Sequence, residues 1–157
     1  MNATFTALPS EAVLVIEGPD TLTFLQGQTT CDTRDLSDTQ TLNGLFCSPQ
    51  GRALADFLLV QQTGERVLLR LRDSIAGNIR DTLAKYIAFS KAELTDDGDR
   101  CQVYGLSGAD ARACLEQTIG SAPSGRGAVI SADNAFIVQQ DESGLCLLYT
   151  SPSPRDA

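Results

Sequence analysis

The 157-residue chain contains no histidine. This removes Ser-His-Asp and Cys-His nucleophile arrangements built within the chain, and histidine metal sites with them. Its five cysteines (Cys31, Cys47, Cys101, Cys114 and Cys146) form no CxxC pair and show no zinc-like spacing. They are expected to be reduced thiols that act as small hydrophobes, and no metal site is expected. Neither a Walker A run nor a GxGxxG run is present. Basic charge is scarce: 12 Lys and Arg stand against 20 Asp and Glu, a net charge of −8. That balance argues against direct nucleic-acid binding. An anionic ligand would need a local basic pocket in a repulsive field. The first ten residues hold no basic run followed by an apolar one, so no signal peptide is expected. No stretch approaches the length of a membrane span, so no membrane partner is expected.

What is present suits a globular chain of one domain, or one and a part, with 42% apolar and 20% charged residues. Residues 12–17 (AVLVIE) predict a first strand, closed by Gly18-Pro19-Asp20, which opens a helix to Gln26. Residues 32–40 are polar and predict a loop or a short helical turn. Residues 41–47 predict a strand, hairpinned through Ser48-Pro49-Gln50-Gly51 to a second over residues 52–60. Residues 66–72 alternate, with Val67, Leu69 and Leu71 inward. Arg66, Arg70 and Arg72 share the other face with Leu68, a face expected to be solvated. Asp73 is expected to cap a helix reaching about Phe89, with Ile75, Ile79, Leu83, Tyr86 and Ile87 as its core stripe. Residues 91–95 predict a weak strand and Asp96-Asp97-Gly98-Asp99 a solvated acidic turn. A strand over 101–106 follows, then a helix started by a capping-box-like Ser107-Gly108-Ala109-Asp110, with Ala111, Cys114, Leu115 and Ile119 on one face. Two further strands, 128–131 and 135–139, flank Asp133-Asn134. This order predicts an α+β fold, a mostly antiparallel sheet with packed helices.

Two runs between Phe24 and Val60 stand out. Phe24-Leu25-Gln26-Gly27-Gln28-Thr29-Thr30-Cys31-Asp32 reads as a helix end, stopped by Gly27 in a left-handed conformation and followed by a polar turn. Gln28, Thr30 and Asp32 on that turn either line a ligand pocket or cap the neighbouring helix and turn. Gly51-Arg52-Ala53-Leu54-Ala55-Asp56-Phe57-Leu58-Leu59-Val60 reads as a strand apolar on both faces, hence buried on both. Asp56 is then one acid among hydrophobes, costly unless paired or hydrogen-bonded. It either orients a ligand or pairs with a nearby arginine. Arg52 follows the turn glycine and could meet a carboxylate or Asp56.

With FLQGQTTCD, a spacer and GRALADFLLV in this order, continuing through LAKYIAFSK and VYGLSG, the stretch from Val13 to Leu115 resembles the N-terminal half of the YgfZ/GcvT family. These are folate-binding relatives of the glycine-cleavage aminomethyltransferase, some of which act in iron–sulfur cluster assembly. The resemblance implies a cytoplasmic protein with tetrahydrofolate as its cofactor, bound by Gln28, Thr30, Asp32, Arg52 and Asp56. Asp56 falls in the strand that carries the transferases' catalytic acid. There the strand reads as an acid doublet; here Ala55 replaces the first acid. A KGCYxGQE-type run with a reactive cysteine marks the second half of family members and is absent. The leading reading is a folate-binding protein of iron–sulfur cluster assembly or repair, with assembly or recipient proteins as partners. One alternative is a folate-dependent one-carbon transferase with Asp56 as its acid. Another is a cofactor-free binding or scaffold module, with Asp56 salt-bridged.

The expected domain division is 1–95, a folate-binding subdomain, and 96–144, the start of a second. Residues 145–157, containing Cys146-Leu147-Leu148-Tyr149-Thr150-Ser151-Pro152-Ser153-Pro154-Arg155-Asp156, resemble the in-frame translation of a transposon-end adapter used in DNA sequencing libraries. They are expected to be a non-native tail. Adapter-trimmed source DNA read past codon 144 should therefore diverge from this tail; genomic codons that spell it would overturn the expectation.

Overall fold

The computed structural model describes residues 2–132, 135–141 and 144–150. The chain divides into two compact units, one made of residues 10–99 and one of residues 1–9 with 100–157. The division falls at 99/100 rather than at the expected 95/96, and the first nine residues join the later part of the chain. Every strand pairing among the described residues is antiparallel.

The unit of residues 10–99 carries β2 (Glu11–Glu17), α1 (Thr21–Gln28), β3 (Leu42–Cys47), β4 (Ala53–Thr63), β5 (Arg66–Arg72), α2 (Asp73–Ile87) and β6 (Glu93–Thr95). The strands form one sheet in the order β3-β4-β5-β2-β6. Leu59, Leu69 and Leu14 stand in register across β4, β5 and β2, and all three are buried. That sheet face packs on α1 and α2 through Phe24, Leu25, Ile79, Leu83 and Ile87. On the other face Val13, Val15, Leu58, Val60 and Leu68 are also buried. The expected two-sided burial of β4 thus holds for Phe57–Val60 but not for residues 53–56. The pairing explains it: β5 meets β4 only from Leu58 to Thr63, whereas Ala53 to Phe57 pair with β3 alone. The first half of β4 is therefore one arm of a hairpin that outruns the sheet.

Several local expectations change. Helix α1 runs past Gly27 to Gln28 and ends at extended Thr29 (φ −129°), whose hydroxyl donates to the Leu25 carbonyl at 2.8 Å. Asp73 is the first residue of α2, not its cap, and α2 ends at Ile87. Its buried stripe is Ala76, Ile79, Leu83 and Ile87. Tyr86 shares the spacing, three residues after Leu83, but is 50% exposed, so it is not a core residue. The arginine face of β5 is not simply solvated. Arg66 bridges Glu17 at 2.5 Å and Asp97 at 2.8 Å, and the Arg70 Nε lies 4.0 Å from the Glu11 carboxylate. Residues 96–100 form a 3₁₀ turn, where a tight acidic turn was expected. Gly98 lies against the Val13 carbonyl, where a Cβ would overlap the oxygen.

The other unit holds β1 (Thr4–Ala7), β7 (Cys101–Ser107), α3 (Ala111–Ile119), β8 (Val129–Ala132), β9 (Ala135–Gln139) and β10 (Gly144–Thr150). Its sheet order is β1-β7-β10-β9-β8. Leu106, Ala111, Leu115, Ile137 and Leu145 form its core, while Ile119 is exposed. Asp110 precedes α3 without capping it through its side chain, because its carboxylate instead accepts from the Asn2 amide at 2.6 Å. Phe5 and Tyr104 stack across β1 and β7 with ring centroids 4.8 Å apart. Asp133-Asn134 and residues 151–157 lie outside the described residues; residues 145–150 pair with β7 and β9.

Leu69 is fully buried at the middle of the leucine row. Leu69→Ala should lower unfolding free energy by about 2–5 kcal/mol in denaturant titration.

Candidate functional site

The polar turn after α1 runs along the free edge of β3. The Thr30 amide donates to the Leu45 carbonyl at 3.1 Å, and the Leu45 amide donates to the Thr30 hydroxyl at 2.9 Å. Both Leu45 peptide groups therefore point away from β4. Leu45 and its register partner Asp56 form a non-hydrogen-bonded pair, the kind in which side chains approach most closely. Directly paired residues share a sheet face, with Cβ atoms about 5 Å apart. Leu54, two residues from Asp56, is the unpaired residue of an irregularity in the hairpin, where Ala55 pairs with Phe46 and Ala53 with Cys47.

Asp56 is exposed rather than buried, since the hairpin arm that bears it projects beyond β5. No hydrogen bond or ion pair holds its carboxylate among the described residues, so the alternative in which it pairs with an arginine is not found there. Leu45 and Leu54 beside it are 39% and 45% exposed. The result is an unpaired carboxylate accompanied by two exposed leucines.

The structure brings Thr30 and Asp56 to opposite sides of Leu45, about 10 Å apart, or two strand spacings. Gln28 is half-buried at the end of α1, and no hydrogen bond to its side chain occurs among the described residues. Asp32 is already engaged. Its carboxylate accepts from the Arg34 amide at 3.0 Å and pairs with the Arg34 guanidinium at 2.7 Å. It starts the 3₁₀ turn Thr33–Asp35, which is the capping role. Arg52 is exposed and its backbone closes the hairpin, with the Ser48 amide donating to its carbonyl at 2.8 Å. Cys31 is half-buried against the core with its thiol 3.3 Å from the Thr29 hydroxyl, whereas Cys47 is exposed rather than packed.

A missed element is Leu45. Nothing in residues 41–47 marks it, because only the pairing with Thr30 shows which way its peptide groups face. A cleft of about 640 Å³ also escaped the sequence reading. It lies at the other end of β4, lined by Glu17, Gly18, Thr63, Arg66, Lys91 and Glu93 among others, and none of the expected site residues lines it. Among the described residues no group of three or more His, Cys, Asp or Glu side chains could hold a metal ion. No helix there is long and apolar enough to cross a membrane.

Residues 8–128 match the profile of the family described as the GCVT N-terminal domain. The chain belongs to that family. It is 28% identical over 145 residues to the tRNA-modifying protein YgfZ of Klebsiella pneumoniae, covering 90% of this chain and 42% of that protein. The tRNA-modifying protein YgfZ of Photorhabdus laumondii is 29% identical over 152 residues, which is 97% of this chain and 43% of the relative. The chain thus spans less than half the length of these relatives. In fold it is similar to the glycine cleavage system aminomethyltransferase T of Bartonella henselae, with a TM-score of 0.80 at 17% identity over 95% of this chain and 42% of that one. A chain of the heterotetrameric sarcosine oxidase of Corynebacterium sp. U-96 gives 0.70 at 14% identity, over 94% of this chain and 75% of that one. These likenesses match the expected α+β family fold.

The hydrogen bonds from the Arg34 side chain, then that from its backbone amide, hold the Asp32 carboxyl at about 2, below its ordinary 3.8. A depressed carboxyl stabilises the folded state above the unfolded value, and that contribution fades as pH falls from about 4 toward 2. NMR titration should place the Asp32 midpoint near 2, and Arg34→Ala should return it toward 3.8.

Proposed function

We propose that the chain is a tetrahydrofolate-binding module of a YgfZ-type protein that acts in iron–sulfur cluster assembly or repair in the cytoplasm. The observation that carries this reading is the Asp56 carboxylate, unpaired among the described residues and accompanied by exposed Leu45, its register partner, and exposed Leu54. A pterin has apolar ring faces and N–H donors along one edge. A carboxylate has acceptor capacity only and suits such an edge, while leucines suit the ring face. Gln28 offers an amide with both donors and an acceptor near the same sheet edge. Arg52, exposed in the adjoining turn, offers a cation to the ligand's glutamate carboxylates. Asp32 serves the turn rather than the ligand. When bound, tetrahydrofolate supplies a nitrogen that carries one-carbon groups; the residues of this chain hold and orient it.

Binding is favoured over aminomethyl transfer by the position of Ala55. It is packed against the core on the opposite face of β4 from Asp56, where the transferases' first acid would stand. The relatives' tRNA-modifying role, carried to this chain, is one exerted through protein partners, as a net charge of −8 disfavours a direct RNA surface.

Asp56→Asn keeps the shape but replaces the charged acceptor. It should weaken tetrahydrofolate binding by about 1–3 kcal/mol in calorimetry. Unchanged affinity would remove Asp56 from the site.

A further inference from the structure

We infer that Thr30 is a positioning residue for this site, acting through Leu45 on the Asp56 row rather than by touching the ligand; the inference rests on the folate reading. β3 is the edge strand of its sheet, and edge strands leave one row of peptide groups unpaired. At Leu45 that row is filled from outside: the Thr30 amide takes the Leu45 carbonyl, and the Thr30 hydroxyl takes the Leu45 amide. One residue thus closes a two-bond ring that a backbone strand would otherwise supply, with a side-chain oxygen standing in for a carbonyl.

The location of this ring gives it its effect. Leu45 is the register partner of Asp56, and this part of β4 has no β5 beside it. The arm is held on one side only, by β3. What fixes the β3 backbone at Leu45 therefore fixes the leucine side chain against which the Asp56 carboxylate stands. The Thr30 backbone bond alone leaves Leu45 free to pivot about its carbonyl; the hydroxyl bond removes that freedom. Thr29, hydrogen-bonded to the Leu25 carbonyl, ties the start of this turn to the end of α1, which is packed on the core through Phe24 and Leu25. Rigidity passes in this way from the core to an exposed arm.

The test uses the full chain and two substitutions: Thr30→Val, which keeps the branched shape without the hydroxyl, and Thr30→Ser, which keeps the hydroxyl. Tetrahydrofolate affinity should fall about tenfold in Thr30→Val and stay within about twofold in Thr30→Ser. Hydrogen exchange should show the Leu45 amide protected in the wild type and in Thr30→Ser, and fast in Thr30→Val. In an Asp56→Asn background Thr30→Val should produce little further loss, because the two changes act on one row. Equal Leu45 exchange in wild type and Thr30→Val would overturn the inference whatever the ligand result. So would unchanged affinity in Thr30→Val when Asp56→Asn weakens binding, or an equal loss in both backgrounds with a lowered melting midpoint, which marks a merely structural role. Failure of the wild type to bind tetrahydrofolate overturns the folate reading and this inference with it, and the exchange data then show whether the Thr30–Leu45 ring itself exists.

Discussion

The unit of residues 10–99 depends on one cross-strand row: Leu14, Leu69 and Leu59, side by side on three neighbouring strands and closed to water. Register in a sheet has a period of two, so a slip of one residue would turn these leucines away from α1 and α2. Fixing this row also fixes where β5 stops along β4. Because β5 leaves β4 at Leu58, the residues before it project as an arm, and Asp56 falls on the arm. The candidate site is thus a by-product of the core register rather than a feature built separately from it.

That arrangement places a charged acceptor where water can reach it. Asp56 carries no neutralising partner among the described residues, and its register partner is the exposed Leu45. Nature commonly hides exposed leucines or uses them, and patches rimmed by polar groups mark binding surfaces. Asp32, by contrast, has its charge consumed by Arg34 and its geometry by the turn. Two aspartates in the same segment differ in surroundings because one lies within reach of an arginine two residues on and the other does not.

The strands and helices were legible in the sequence where burial imposes a period. Val67, Leu69 and Leu71 announce β5, and Ile79, Leu83 and Ile87 announce α2. The α+β order and the family resemblance followed from the same runs. What was not legible depended on pairing over distance. A run such as ALADFLLV reads as buried on both faces, because nothing local says that β5 ends beside Leu58. Tyr86 reads as core by spacing alone, yet at the margin of the stripe in the last turn of α2 it stays half exposed. Thr29 rather than Gly27 ends α1, a contest settled by a hydroxyl reaching back four residues. The edge ring between Thr30 and Leu45 joins residues fifteen apart through one side chain, and no periodicity encodes it.

The strand β1 has a consequence in time. Thr4 pairs with Ser107, so β1 is synthesised about a hundred residues before its partner. The 10–99 unit, whose strands pair only among themselves, lies wholly within that interval. β1 meanwhile carries an exposed edge and the aromatic ring of Phe5 with nothing to stack on. Closing so long a loop is slow compared with forming hairpins, and sheet edges left open are where chains associate wrongly. Until β7 arrives, β1 is an orphan strand, whereas the 10–99 unit pairs all of its own strands.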